Sequence, residues 1–204
     1  MNVKCIQTGQ LDVNCYILTE GRDAAVIDPG GDCDRIIAAL GGAELKMILL
    51  THGHFDHIGA VAELAEKTGA EVYIHKADEP MLTDNKKNLS FLTGVPPKPC
   101  RATKYLEDMQ KLTLGASEIT VYHTPGHSEG SVCFFCDGCL FDGDLLFRGS
   151  IGRFDHGDIG KELASLKRLM DTFADDVRVC PGHGDETSIG AERRENPYII
   201  NHVN

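Results

Sequence analysis

Three histidines and one aspartate lie within residues 51–57, the segment that directly follows the apolar run at positions 47–50. They are His52, His54, Asp56 and His57. Imidazoles this close together would repel one another if they were protonated, whereas neutral imidazole and ionised carboxylate are the ligands that a divalent metal requires. The pattern therefore predicts a metal site, and it disfavours the alternative of a polar loop that merely precedes a helix.

The spacing of these four side chains favours two metal ions over one. In an extended chain, positions 52 and 54 point to the same side, so both imidazoles can reach a single metal. Asp56 and His57 come after the chain has begun to turn, and they therefore face a neighbouring point. We expect a pair of adjacent metal ions.

Three further candidate ligands follow glycine-containing turns at the ends of predicted strands. His127 follows Thr-Pro-Gly, Asp144 follows Asp-Gly, and His183 follows Pro-Gly. Each turn alone is a weak signal, because Pro-Gly and Asp-Gly mark turns in many proteins. Together with the first cluster, the three turns indicate strand ends that converge on one metal centre.

Apolar periodicity predicts a mixed α/β chain whose strands end at these residues. Strands are expected at residues 3–7, 15–19, 24–27, 46–51, 71–74, 117–123, 132–136, 139–141 and 177–180, and helices at 34–40, 58–68, 77–82 and 161–173. Each half of the chain runs from strands into a helix and then into a strand that ends in histidine. A duplicated unit of two stacked sheets with outer helices would bring these strand ends together.

Residues 84–99 show little regular periodicity. A loop of this length in a compact domain is usually functional or mobile. We interpret the segment as a lid or a substrate wall, and a plain connector is the alternative.

The composition disfavours several other classes of protein. A chain of 204 residues has a size typical of one domain, so we expect a single domain over residues 1–204. The net charge of -11 argues against nucleic acid as a partner. The N-terminal residues lack the apolar core of a secretory signal, and no run approaches the roughly 18 apolar residues of a membrane span. We therefore expect a cytoplasmic protein without a membrane partner, and the sequence leaves its oligomeric state open.

The eight cysteines are expected to be reduced thiols. Cys133, Cys136 and Cys139 form one cluster, in which Asp137 and Gly138 predict a two-residue hairpin turn. Cys136 and Cys139 would then face each other across two strands. A soft-metal site and a redox pair are the alternatives to small hydrophobic core residues, which we favour.

The complete set of motifs resembles the metallo-β-lactamase superfamily. The family pattern His-x-His-x-Asp-His is matched at positions 52–57, and the later His, Asp and His follow in the family's order. The resemblance implies an α/β fold of the α+β kind, a four-layer αββα sandwich, with a dinuclear site at one edge. It also implies two divalent metal ions, zinc first, with iron or manganese as alternatives. The implied ligands are His52, His54 and His127 for one metal, Asp56, His57 and His183 for the other, and Asp144 as the bridge.

Asp28 matches the family's aspartate at an early strand end. Its implied role is to accept a hydrogen bond from a ligand imidazole and so to fix the tautomer of that imidazole. The alternative is an ordinary Asp-Pro-Gly turn. Among the other histidines, His123 is a candidate for a similar supporting role, and we expect the rest to lie at the surface. These surface candidates are His75, His156 and His202.

Residues 143–153 and 182–197 resemble the corresponding segments of type II glyoxalases (hydroxyacylglutathione hydrolases), especially the short bacterial ones. This resemblance implies hydrolysis of a small thioester, such as S-lactoylglutathione or a related acyl-thiol, by metal-bound hydroxide. Asp56 would orient the nucleophile while also binding metal. Arg153 would hold the carboxylate of the thiol, and its alternative role is a structural ion pair with Asp155.

Several rival functions share the same ligands. A persulfide dioxygenase would use one iron and dioxygen, and a lactonase would hydrolyse a different ester. An exported β-lactamase is disfavoured because no leader is found, and diiron flavoprotein reductases usually carry glutamate at the position of His54. A catalytically idle binding module is disfavoured because all seven ligand positions are intact.

Overall fold

The computed structural model describes residues 1–153 and 157–203, within which twelve of the strands form two six-stranded sheets. The first sheet contains β1 (Asn2–Thr8), β2 (Val13–Glu20), β3 (Asp23–Ile27), β4 (Glu44–Leu49), β5 (Glu71–His75) and β6 (Lys104–Leu106), in that order. The later strands are β7 (Lys111–Leu114), β8 (Ser117–His123), β9 (Val132–Cys136), β10 (Cys139–Gly143), β11 (Leu146–Phe147), β12 (Ser150–Ile151), β13 (Arg178–Pro181) and β14 (Thr187–Ser188). The second sheet has the order β14-β13-β10-β9-β8-β7, while β11 and β12 pair separately.

Helices cover the outer face of each sheet. They are α1 (Cys33–Ala39), α2 (Phe55–Ile58), α3 (Val61–Thr68), α4 (Ile159–Thr172), α5 (Ile189–Glu195) and α6 (Pro197–His202), with short 3₁₀ turns at Glu79–Leu82 and Ser90–Leu92. None of the helices in the described part of the chain combines the length and the apolar character that crossing a membrane requires.

Both faces of the central strands are buried, which explains their uninterrupted apolar sequences. Along β2, Ile17 packs in the core below α1 and α3, whereas Leu18 points into the core between the sheets. Along β9, Phe134 enters the same core between the sheets, and Cys133 packs with Leu166 of α4 in a third core. These three cores separate four layers, so the expected αββα sandwich is confirmed.

Each sheet begins with antiparallel strands and continues through a helix into a parallel strand, as the duplicated pattern predicted. In the first sheet α1 connects the parallel strands β3 and β4, and in the second sheet α4 lies between the parallel strands β10 and β13. Because β8 and β10 are both antiparallel to β9, the carboxyl ends of β8, β10 and β13 lie at one edge of the second sheet.

The helix expected at 58–68 is confirmed over Val61–Thr68 and ends at Gly69, but Ile58 belongs to the separate short helix α2. At the break Ala60 N donates to the carbonyl oxygen of Pro29 at 2.9 Å, and a Cβ atom at Gly59 would lie 2.1 Å from the carbonyl oxygen of Gly30, so glycine is required where the two backbones approach. The expected helix at 77–82 is only a 3₁₀ turn. Several short elements were not predicted: β6, β7, β11, β12, β14, α5 and α6.

The cysteine cluster forms the predicted hairpin. Cys136 and Cys139 are register partners, and both Asp137 and Gly138 have positive φ, as a type I′ turn requires. All eight cysteines lie in the described part of the chain and are free thiols. Burial raises the pKa of Cys136 to about 12. These features support the interpretation of the cluster as core residues.

Candidate metal centre

All seven predicted ligand residues lie at one edge of the sandwich. His52 and His54 follow β4, Asp56 and His57 lie in α2, and the others follow the carboxyl ends of strands in the second sheet. The residues of this last set are His127 after β8, Asp144 after β10 and His183 after β13. The strand ends therefore deliver the side chains from both sheets to one place.

The first group of side chains consists of His52, His54 and His127, whose nitrogen atoms lie within 4.8 Å of one another. His54 Nδ1 lies 2.8 Å from His127 Nε2. His127 Nδ1 donates to the carbonyl oxygen of Arg153 at 2.8 Å. The lone pair of His127 Nε2 therefore faces the other two imidazoles. These three imidazoles can therefore converge on one cation.

The second group consists of Asp56, His57 and His183, again within 4.8 Å. His183 Nε2 lies 3.1 Å from Asp56 Oδ2, and His57 Nε2 lies 3.6 Å from the same oxygen. One carboxylate and two imidazoles form a donor set typical of zinc and other divalent transition metals.

Asp144 lies between the two groups. Its Oδ1 is 3.3 Å from His57 Nε2, while its Oδ2 is 3.7 Å from His127 Nε2 and 3.8 Å from His183 Nε2. A carboxylate in this place can contact a cation in either group, as a bridging ligand must.

Three buried atoms of the centre have no hydrogen-bond partner among the described residues: His52 Nε2, His57 Nε2 and Asp144 Oδ1. A buried polar atom without a partner costs about 1–3 kcal/mol, and proteins avoid this cost unless something else satisfies the atom. All three atoms belong to predicted ligands. The donor set therefore fits a pair of bound cations.

His54 in the first group and His57 in the second have pKa values shifted in opposite directions. Burial, reinforced by the imidazole of His127, lowers the pKa of His54 to about 3. Burial also opposes protonation of His57, but the carboxylates of Asp144 and Asp56 outweigh it and raise the pKa of this imidazole well above its ordinary value. Burial therefore favours the neutral, cation-binding form of His54, whereas the neighbouring carboxylates favour the protonated form of His57.

Asp28 supports the second group from behind. Its carboxylate is 2% exposed and accepts hydrogen bonds from Thr51 N at 2.8 Å, Thr51 Oγ1 at 2.6 Å and His57 Nδ1 at 2.9 Å. The bond to His57 places the proton on Nδ1 and directs Nε2 toward the centre. The geometry is the one that the expected supporting role requires.

The turn that carries His183 is held by the first sheet. Asn14 N donates to the carbonyl oxygen of Gly182 at 2.7 Å, and Asn14 Nδ2 donates to the carbonyl oxygens of Pro181 and Gly184. Tyr16 Oη also donates to Pro181 O, at 2.8 Å. Residues from the start of the chain thus fix the position of the last predicted ligand.

A cavity of about 400 Å³ opens over the centre. Besides the predicted ligands, its walls are mostly apolar: Leu11, Phe55, Leu89, Leu92 and Phe147, with Thr93 and Arg153 as polar neighbours. Because Leu89, Leu92 and Thr93 line this cavity, the interpretation of 84–99 as a substrate wall is favoured over a plain connector. Arg153 also lines the cavity, while Asp155, its alternative ion-pair partner, and His156 lie outside the described residues.

Sequence reasoning missed two buried acids near the centre. Asp78 accepts hydrogen bonds from Gly53 and Ser128, in the two loops that carry the first group. Glu162 lies on α4 and contacts the turn at Gly126. Burial raises the pKa of Glu162 to about 8. An acid on the apolar side of a predicted helix was a usable signal for Glu162, whereas Asp78 had none.

The remaining histidines among the described residues, His75, His123 and His202, lie outside the two groups. His123 stacks on His75, with ring centroids 4.2 Å apart, and its Nε2 lies 3.0 Å from the carbonyl oxygen of Glu129. His123 therefore contacts a loop backbone and another histidine. Within the described part of the chain, the structure gives it no hydrogen bond to a predicted ligand, which the supporting role would require. His202 is exposed, as predicted.

A layered sandwich with histidines and aspartates at one edge defines a class of metal-binding enzymes, most of which are hydrolases. The sequence profile of the metallo-beta-lactamase superfamily matches residues 8–183, and the chain belongs to that superfamily. It is 32% identical to the hydroxyacylglutathione hydrolase GloC of Haemophilus influenzae, with 98% of each chain covered. The solved structure of the BLEG-1 B3 metallo-beta-lactamase is similar at a TM-score of 0.91 and 38% identity, covering 97% of this chain and 99% of the other. TTHA1623 in a di-iron-bound form is similar at a TM-score of 0.86 and 39% identity, covering 96% and 99%.

Proposed function

We propose that this protein is a dinuclear metallohydrolase that cleaves a thioester, such as S-lactoylglutathione or a related acyl-thiol. The observation that carries the proposal is the convergence of seven ligand-type side chains at the base of an apolar cavity. The similarity to GloC, which covers both chains almost completely, supports the choice of substrate class.

The proposed ligands fall into two sets. The first metal would be held by His52, His54 and His127, the second by Asp56, His57 and His183, with Asp144 shared between them. Imidazole and carboxylate suit zinc, so we propose zinc as the native metal. Iron is the competing choice, because the similar TTHA1623 was solved in a di-iron-bound form.

When bound, two such ions activate water at neutral pH and polarise a carbonyl group. The protein's own side chains orient the attacking water and the substrate, and they exclude bulk solvent. The Asp56 carboxylate accepts a hydrogen bond from the attacking water and holds it in line with the substrate carbonyl. The apolar walls at Leu89, Leu92 and Phe147 contact the acyl chain and keep bulk water out. Arg153 binds the carboxylate of the thiol.

The protein's surroundings follow from the same proposal. A small-molecule thioester is the partner, and residues 1–204 act as one domain. The free, mostly buried thiols suit a reducing compartment, so we place the reaction in the cytoplasm.

The test begins with elemental analysis of the untagged protein. A panel then follows: S-lactoylglutathione, simpler acyl thioesters, a lactone, and a persulfide with an oxygen electrode. We expect two metal ions per chain and thiol release from thioesters. One iron per chain with oxygen consumption would instead establish a dioxygenase, and a preference for the lactone would establish a lactonase.

A pair of variants assigns the activity to the centre. His57→Ala removes a proposed ligand and should lower both the metal content and thiol release. His202→Ala removes an exposed histidine and should change neither. If the His57→Ala protein retained full metal content and turnover, the ligand assignment would be wrong.

A further inference from the structure

Asp78 is a buried acid that belongs to no recognised motif. It follows β5, its side chain is 1% exposed, and its two oxygens accept three hydrogen bonds. Oδ2 accepts from Gly53 N at 3.1 Å and from Ser128 Oγ at 2.6 Å, while Oδ1 accepts from Gly130 N at 2.7 Å. A buried carboxylate that accepts three hydrogen bonds holds its donors in a defined place.

The donors lie beside proposed ligands of the first metal. Gly53 separates His52 from His54, and Ser128 directly follows His127. One carboxylate thus joins the two loops that must meet for the first group to form.

Glycine is required where these loops approach the aspartate. A Cβ atom at Gly53 would lie 2.5 Å from Met81 Cβ, and one at Gly130 would lie 2.6 Å from Asp78 Cγ. Ser128 is held in turn by Ser131, whose Oγ lies 2.7 Å from Ser128 Oγ and accepts from Ser128 N at 3.1 Å. The contact is therefore closely packed on both sides.

We propose that Asp78 is a positioning residue for the metal centre, which clamps the His52–His54 loop to the His127 loop and so sets the affinity of the first metal. The proposal rests on the metal pair of the proposed function. The second group is supported from another direction, by Asp28 acting on His57. Loss of Asp78 should therefore affect the two metals unequally.

Asp78→Asn is the direct test. The amide keeps one acceptor oxygen, so in either orientation its NH₂ group faces a buried backbone N–H, that of Gly53 or that of Gly130, which loses its partner. We expect the first metal to bind about tenfold more weakly or worse, with the second metal changed by less than about threefold. Titration of the metal-free protein with zinc against a chromophoric chelator measures both affinities, and the absorption spectrum with cobalt shows which group is filled.

A matched control separates positioning from general stability. Glu192 is also buried, at 2% exposure, and accepts three hydrogen bonds from Thr187 Oγ1, Asn196 Nδ2 and Gly149 N. Glu192→Gln should lower the melting temperature without changing either zinc affinity. Equal zinc affinities in Asp78→Asn and the unmodified protein, or an equal loss in Glu192→Gln, would overturn the proposal.

Two milder variants cover the case in which Asp78→Asn does not fold. Ser128→Ala removes one of the three bonds and should weaken the first metal about threefold to tenfold, while Ser128→Thr keeps a hydroxyl and should restore it. Unchanged zinc affinity in Ser128→Ala would also count against the clamp. Metal binding is measured without substrate, so absence of thiol release with both metals bound would count against the proposed function alone.

Discussion

Replacing Asp28 by asparagine should move the proton of His57 from one ring nitrogen to the other. Asp28 has a φ of 49°, a left-handed conformation that asparagine tolerates, so the backbone can stay unchanged. With its oxygen in the place of Oδ1, the amide keeps the bond from Thr51 N, while the Thr51 hydroxyl loses its acceptor at Oδ2 and turns to accept from the new NH₂ group. Its NH₂ group then faces His57 Nδ1, which must become an acceptor, and the proton moves to Nε2.

The size of the effect follows from the bond that is lost. Binding a metal through His57 Nε2 requires a proton on Nδ1. In the variant, that Nδ1–H group would face the NH₂ group of the asparagine, which is also a donor. A hydrogen bond to a charged group contributes about 1.5–3 kcal/mol. Since about 1.4 kcal/mol corresponds to a factor of ten, the second metal should bind about 10–100-fold more weakly.

The assay is zinc competition against a chromophoric chelator, with the melting temperature recorded in parallel. Asp32→Asn is the matched control. Asp32 also has a left-handed φ, of 55°, and accepts a hydrogen bond from a backbone group, Gly9 N, rather than from a predicted ligand. The control should bind zinc as the unmodified protein does. Equal zinc affinity in Asp28→Asn and Asp32→Asn would refute the tautomer argument.

Three further predictions concern the centre and its cavity. Gly182→Ala should cost one bound metal and at least about tenfold in turnover, because its Cβ would lie 2.5 Å from Asp144 Oδ1 and 2.6 Å from His57 Cε1. Gly184→Ala is the control for this variant, because its Cβ would have no described atom within 4 Å. It should lower the free energy of unfolding by about 1 kcal/mol and leave both metals bound. Zinc added to the metal-free protein at pH 7 should release protons, measured in a pH-stat, because nearby carboxylates raise the pKa of His57; affinity for the second metal should therefore rise with pH. Leu92→Ser should reduce the preference for longer acyl chains, which is expected to be about fourfold in kcat/KM per methylene in the unmodified protein, and a series of acyl thioesters measures it.

The central strands could be predicted from the sequence because they are buried on both faces. Such strands are short apolar runs that end at glycine or proline, so the expected 139–141 and 177–180 lie close to Cys139–Gly143 and Arg178–Pro181. Edge strands such as β6 carry no comparable pattern, because pairing with a neighbour stabilises them more than their own side chains do. Helix α5 did have a start signal in Ser188, whose Oγ accepts from Ala191 N.

The residues of the centre could be predicted because each is a ligand type placed directly after a strand. The break at Gly59 was not visible, since it depends on contact with Gly30, far away in the sequence. Asp78 was hidden for the same reason, because its donors lie 25 to 52 residues away. Local patterns reveal which residue ends a strand, but they do not reveal which distant backbone group a buried acid will meet.

The hydrogen bonds from Asn14 and Tyr16 to the turn before His183 have a consequence for the maturation of the protein. During synthesis, every residue of the first proposed group exists once the ribosome has passed position 127. The second group is complete only after position 183 has been synthesised. The turn before His183 must then pack on β2, one of the first strands to be synthesised. The proposed first site can therefore form before the proposed second site, which exists only once the beginning and the end of the chain have met.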